Sequence, residues 1–385
     1  MKKIYLDNNA TTPPDPRVFE AMLPYLKGDY GNPSSIHSFG RSAKAALDRA
    51  REQVAGLVSA RPKEIVFTSG GSESNNYAIK GVALSQRGRG KTHLVTTSVE
   101  HESSLYAFRY LESEGFQVTY LGVDSCGMID LDELRDFITH QTALVSCMYA
   151  NNETGAVMPV REIAEIVKEK GALFHTDAVQ AAGKLEIDIN EIKADLLSVS
   201  AHKIYGPKGT GALFVRAGTP QETTLRTLIH GGGQERGRRS GTENVAGIVG
   251  FGEACEIAYK EMAGDRERIK PLRDMLLKGI SNEIPDVRYH GEPGGTLWNT
   301  LNMSFSGVQG ESLAMNLDIE GIAVSTGSAC SEGKVDPSHV LRAMGVSKEE
   351  AASSVRFSLG RFTEKEGVDI VMEKLPGIVS RIRSV

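Results

Sequence analysis

The stretch DLLSVSAHKIYGPKGTGALFVR, residues 195–216, decides the fold class. It begins as an apolar run, breaks over glycines and a proline, and resumes as a second apolar run. Short apolar segments of this kind, bounded by turn residues, read as strands. Toward the N-terminus the pattern recurs in ALFHTDAV (172–179), ALVSCMYA (143–150), QVTYLGV (117–123), HLVTTSV (93–99) and EIVFTSG (64–70), separated mostly by helix-like segments. Strands alternating with helices predict βαβ units. Their nearly continuous apolar character predicts a mostly parallel seven-stranded sheet with helices on both faces. The expected class is α/β.

Toward the C-terminus the pattern changes. A long helix-like segment (244–280) is followed by LNMSFSG (301–307), a helix over ESLAMNLDIEG (311–321), VRFSLGR (355–361) and a terminal helix. This predicts a smaller α+β domain. The expected division is a large domain over 15–260, and a small domain built from 1–14 and 261–385. The cluster HGGGQERGRRSG (230–241) reads as a mobile loop.

Composition narrows the function classes. The 385 residues carry 44 Lys and Arg against 49 Asp and Glu, interspersed, for a net charge of -5. Neither nucleic acid nor an anionic membrane is the expected partner. The four cysteines, Cys126, Cys147, Cys255 and Cys330, are scattered, with no paired spacing, which fits a reducing cytoplasm and predicts no structural zinc. The opening MKKIYLDNNATT lacks an apolar h-region, and no stretch reaches the length of a membrane span, so a soluble, unprocessed protein is expected.

Residues with chemistry to offer cluster at predicted strand ends, where open α/β sheets bind ligands. Lys203 is either a solvated turn lysine or an amine in a partly desolvated pocket, able to form a Schiff base. Asp177 and Gln180, in HTDAVQ, close another strand; the acid can equally be a helix N-cap. FTSGGSESNN reads as strand, turn and helix start, so the amides of Gly71 and Ser72 and the Ser72 hydroxyl can hold a phosphate. Ser200 and His202 flank Lys203. His101, just past HLVTTSV, is either structural or a ring facing a ligand. RRSGTEN offers Thr242 beside two arginines, as phosphate ligands or as a solvated loop. Arg356 lies on an apolar run, where it needs an ion-pair partner or binds a carboxylate. Cys330 ends STGSAC, a segment of small residues read as an exposed loop, where a thiol is not simply a buried hydrophobe. Together, a phosphate cradle, an acid, a Schiff-base lysine and an aromatic ring match the needs of pyridoxal 5′-phosphate.

The ordered motifs LDNNATT, GNPSSIH, TSGGSESNN, EHES, NNETG, HTDAVQ, SAHKIYGPKG, RSGTEN, GSAC and VRFSLGR span nearly the whole chain. They resemble those of the cysteine desulfurases that serve nitrogen fixation and iron-sulfur cluster synthesis, class-V aminotransferase relatives of pyridoxal phosphate fold type I. The resemblance implies that Lys203 carries the cofactor, Asp177 pairs with its ring nitrogen, Gln180 bonds its phenolic oxygen and His101 stacks on the ring. Gly71, Ser72, Ser200 and His202 would hold the phosphate, joined by Thr242 from the other subunit of a homodimer. Asn152 would lie near cofactor and substrate, Arg356 would grip the substrate carboxylate, and Cys330 would be the nucleophile. L-cysteine would yield L-alanine and a persulfide on Cys330, passed to a sulfur-acceptor protein such as an iron-sulfur scaffold. The ending LPGIVSRIRSV is shorter than the docking tail common among housekeeping members, which leaves the acceptor open. Three rivals share much of the apparatus. They are a selenocysteine lyase, an aminotransferase, and a non-catalytic persulfide carrier; the last has no use for Lys203, Asp177 and His101 together.

Overall fold

Each apolar run that the sequence presents as a strand becomes one. The computed structural model describes residues 3–218, 225–292, 294–327, 329–331 and 334–384, and only the backbone of 329–331 and 334–336. After a short β1 (Ile4–Tyr5) come β2 (Ile65–Thr68), β3 (His93–Thr97), β4 (Gln117–Leu121), β5 (Thr142–Ser146), β6 (Leu173–Asp177), β7 (Leu196–Ser200) and β8 (Gly211–Val215). The last seven form one sheet in the order β2-β8-β7-β6-β5-β3-β4. Its pairings are parallel except those of β8, which runs against both neighbours. The reason is local: only residues 201–210 join β7 to β8, and a parallel crossover needs about a dozen or more.

The sheet is covered on both faces, as continuous apolar strands require. Leu94, Leu144, Leu196 and Leu213 enter one core, while Val95, Val145, Leu197 and Phe214 enter the other. This is the two-residue alternation of a strand. Functional side chains are therefore displaced to strand ends, because the strand interiors are occupied with packing.

The helix Val245–Glu283 spans two cores. Ile248, Phe251 and Ala258 pack with the large sheet, whereas Ile269, Leu276 and Ile280 pack in a separate core with Ile4, Leu6, Leu301, Phe305 and Phe357. Around that core run β9 (Val287–Tyr289), β10 (Thr300–Phe305), β11 (Ile322–Ala323) and β14 (Ser354–Ser358), while β12 (Ala329–Ser331) and β13 (Lys334–Asp336) form a separate two-stranded hairpin. β10 pairs antiparallel with β9 and β14, and β1 pairs parallel with β11. The expected α+β character is present here. Val340, Leu341, Met344 and Ala351 pack instead with the large-sheet core. No helix among the described residues is long and apolar enough to cross a membrane.

Two segments differ from their reading in sequence. The glycine cluster read as a mobile loop contains Glu235, buried and ion-paired to Arg51 through two 2.7 Å hydrogen bonds, with a third from the Phe67 amide at 2.9 Å. A buried carboxylate must be satisfied in this way, and satisfying it pins the segment. The backbone around Cys330, read as loop, pairs as a hairpin, β12 antiparallel to β13 with Cys330 opposite Val335. Small residues give no period from which such a three-residue strand can be read.

Candidate active site

The carboxyl ends of the parallel strands converge on a cavity of about 410 Å3. Ten residues singled out in the sequence line it: Gly71, Ser72, His101, Asn152, Asp177, Gln180, Ser200, His202, Lys203 and Arg356. β2 leads through Gly70 (φ 151°) into the helix Gly71–Gln86, whose N-terminus faces the cavity. A Cβ on Gly71 would lie 2.8 Å from Val179 Cγ2, so the close approach needs glycine. First-turn amides have no intrahelical acceptors, and the helix end is positive. Beside them Ser200 Oγ is buried without a partner among the described residues, as is Asn75 Oδ1. Unsatisfied buried polar atoms are rare; the Ser200 hydroxyl can donate to an anionic ligand at this helix end, whereas Asn75 Oδ1 can only accept.

At the end of β6, Asp177 is buried; its Oδ2 accepts from Asn75 Nδ2 at 2.6 Å and its Oδ1 from the Val179 amide at 2.9 Å. It closes a local turn rather than capping a helix. Asn75 Nδ2 also donates to Ser103 Oγ at 2.9 Å, which is 2.8 Å from His101 Nδ1. Asp177 and His101 are thus joined through two residues that the sequence reading missed. His101 caps the helix Glu102–Ser113, its Nδ1 accepting from the Ser103 amide at 3.1 Å. That bond needs an unprotonated Nδ1, and confinement in the cavity lowers the imidazole pKa, opposed by the Asp177 charge. The ring itself stays open to the cavity.

Lys203 follows β7 on a short turn, its Nζ donating to the carbonyls of Asn9 (2.6 Å) and Ala10 (2.7 Å). Burial, reinforced by Arg356, brings its pKa down to about 8. This is the amine of the desolvated-pocket reading rather than a solvated turn lysine. His202 is lowered to about 4 by burial and by neighbouring lysines, so it is neutral near pH 7. Gln180 Nε2 donates to the same Asn9 carbonyl at 2.9 Å.

Arg356, on β14, pairs with Asp7 at 2.7 Å and donates to the Asn152 carbonyl at 3.0 Å. The structural ion pair is therefore real. It leaves Nε buried and without a partner among the described residues. Asn9 is the hub the sequence reading did not single out, although LDNNATT was among its motifs. Besides the Lys203 and Gln180 bonds, its Nδ2 donates to Asn152 O at 3.1 Å and to Thr300 Oγ1 at 2.9 Å.

A second cavity of about 380 Å3 shares His101, Asn152 and Arg356 with the first. Its wall includes Gly327 and Pro337, which flank the hairpin of Cys330. The Cys330 side chain lies outside the described residues. Thr242 is exposed and does not line the first cavity.

A family profile for class-V aminotransferases matches residues 4–371. The chain is 48% identical over 384 residues to the cysteine desulfurase IscS of Dictyoglomus turgidum, with 100% of this chain and 96% of that protein covered. It is 50% identical over 386 residues to the human cysteine desulfurase, with 100% of this chain and 83% of that protein covered. A solved structure described as a NifS-like protein superimposes with a TM-score of 0.92 at 40% identity, covering 99% of this chain and 100% of that one. With its strand-end lysine, acid and histidine in one cavity and these likenesses along its whole length, the chain belongs to the class-V aminotransferases and, within them, to the cysteine desulfurase family.

Proposed function

We propose that this chain removes sulfur from L-cysteine with pyridoxal 5′-phosphate as cofactor, giving L-alanine and a persulfide on Cys330. The observation that carries the reading is the Lys203 amine, depressed to about 8 and held in one cavity with Asp177, His101 and Gln180, next to a cavity walled by both flanks of the Cys330 hairpin.

The residues present fit the cofactor. The N-terminus of Gly71–Gln86 and the unpartnered Ser200 Oγ suit its phosphate, with Ser72, His202 and a partner subunit's copy of Thr242 as further ligands. Asp177 suits its ring nitrogen, Gln180 its phenolic oxygen, and His101 its ring face. When bound, the cofactor supplies a carbonyl for amine exchange and an electron sink for carbanionic charge.

The protein's own residues do the rest. Arg356 binds the substrate carboxylate, with the Asn152 loop beside it. Lys203, near neutrality in pKa, takes and returns the proton at the substrate α-carbon. The Cys330 thiolate attacks the substrate sulfur: an S–S bond forms, the Cβ–S bond breaks, and its electron pair stays with carbon, which takes a proton to become the alanine methyl group.

In this reading 15–260 is the cofactor-binding domain, and 1–14 with 261–385 form the smaller domain carrying Cys330. The core change along Val245–Glu283, between Ala258 and Ile269, supports that division, and Val340–Ala351 pack across it. The enzyme acts as a homodimer, in the cytoplasm, and passes its sulfur to an acceptor protein such as an iron-sulfur scaffold. Three described cysteines are free rather than paired, in keeping with a reducing compartment.

The test is a reaction of purified holoenzyme with L-cysteine and a reductant, with alanine and sulfide measured. Equal amounts of both, with no keto acid required, are expected. Alanine formation that depends on a keto acid would mean transamination and overturn the reading.

A further inference from the structure

Lys184 is a buried lysine that the mechanism above does not use. It is 7% exposed, and both of its side-chain hydrogen bonds go to one residue: Nζ donates to Gln180 Oε1 at 3.0 Å and to Gln180 O at 3.1 Å. Among the described residues it pairs with no carboxylate. A lysine buried without a countercharge is costly, so its retention asks for a reason. Its placement is also specified. Gly183 turns the chain at φ 71°, where a Cβ would meet Ile204 Cγ2 at 2.7 Å, and Trp298 Nε1 donates to the Lys184 carbonyl at 2.7 Å.

A side-chain amide has two nearly isosteric ends, one accepting and one donating. As an ammonium, lysine has only donors to offer, so the Gln180 end facing charged Lys184 is Oε1. The other end, Nε2, is turned toward Asn9 O and the cavity wall, and keeps a second N–H. We propose that Lys184 is a positioning residue that fixes the Gln180 amide with its NH2 toward the cofactor; the proposal rests on the cofactor reading above. Without Lys184 only the Nε2 bond to Asn9 O still orients the amide, and an amide that turns presents an acceptor where a phenolic oxygen needs a donor. Burial, with Lys203 and Arg356 nearby, brings the Lys184 pKa down to about 7. Charged or neutral, the amine keeps at least two N–H groups, so both bonds to Gln180 survive titration.

The test uses holoenzymes and the pH midpoint of the bound cofactor's visible absorbance. A donor at the phenolic oxygen stabilises its anionic form, so Lys184→Met should move that midpoint up by about one pH unit and lower kcat about tenfold, with KM within about twofold. In a Gln180→Ala background the same substitution should add no further shift. A midpoint equal to wild type in Lys184→Met, or a shift of equal size without Gln180, would overturn the proposal. Should Lys184→Met not fold, Lys184→Gln is one bond shorter and ambivalent at its tip. It should give an intermediate shift, and no shift there overturns the proposal equally. A wild-type protein without visible cofactor absorbance would instead remove the cofactor reading, and this inference with it.

Discussion

Lys203 Nζ lies 2.6 Å from the carbonyl oxygen of Asn9, across 194 residues of chain. The N-terminal segment thus holds the amine on which the chemistry turns. It does so with neutral carbonyls, and burial outweighs the Asp177 and Asp7 charges that act to raise its pKa.

Lys203→Ala should leave a folded protein that no longer forms a covalent link to the cofactor. Borohydride reduction of the holoenzyme followed by peptide mass spectrometry is expected to find the cofactor on Lys203 in wild type and on no residue of the variant. A label on Lys184 or Lys208 would displace Lys203 from its role.

Asp177→Ala should reduce turnover severely. A full charge about 4 Å from a ring nitrogen is worth up to about 4 kcal/mol at an effective dielectric near 20, or roughly three decades in rate, less whatever solvent recovers. Asn75→Ala, which removes the 2.6 Å hydrogen bond to Asp177, should lose a smaller factor, about tenfold. Single-turnover rates decide both, and near-normal turnover in Asp177→Ala would remove that residue from the site.

Cys330→Ala should keep a substrate-induced change in visible absorbance while releasing almost no alanine or sulfide. After one wild-type turnover without reductant, labelled sulfur should reside on Cys330. Cys147 and Cys255 are fully buried, which pushes their thiols well above the usual range and leaves them without thiolate near pH 7. Half-buried Cys126 is the control that matters, because label found there would assign the nucleophile elsewhere.

Thr242 is exposed and lies outside the cavity that the other phosphate candidates line. If it completes the site of a partner subunit, heterodimers of Lys203→Ala and Thr242→Glu chains should regain activity at one site in each dimer. Mixtures no more active than either parent would leave the shared site unsupported.

Glu100 gives a pH signature independent of turnover. Its carboxyl is buried; Oε1 accepts from Thr97 Oγ1 (2.8 Å) and the Met148 amide (2.9 Å), and Oε2 has no partner among the described residues. Burial raises its pKa from 4.5 to about 8. The folded state therefore binds a proton that the unfolded chain releases at lower pH. Its contribution is fully present below pH 4.5 and is lost as pH rises through about 8. Glu100→Gln, which keeps the shape without the charge, should gain stability over wild type across that window and level off above it. Denaturation midpoints that track wild type at every pH would show that Glu100 does not hold the proton.

The sequence by itself determined the seven strands, the α/β class and the kinds of residue waiting at strand ends. Alternation and apolar runs are local properties, written within a few neighbouring residues, and so are the strand ends and turns that place Asp177 at the end of β6 and Lys203 and His101 just past β7 and β3. Sequence could not show what those residues touch. Asn9 beneath Lys203, Asn75 between Asp177 and His101, and Asp7 on Arg356 are contacts across 194, 102 and 349 residues or involve side chains with no distinctive local pattern. Only the stacking of strands and the packing of the second core against the first bring them together. The same holds for Glu235, whose buried pairing with Arg51, 184 residues away, turns an apparent loop into a fixed point. Partner choice for a polar group follows from which long-range neighbour shares its desolvated space, and that is set by the assembled fold.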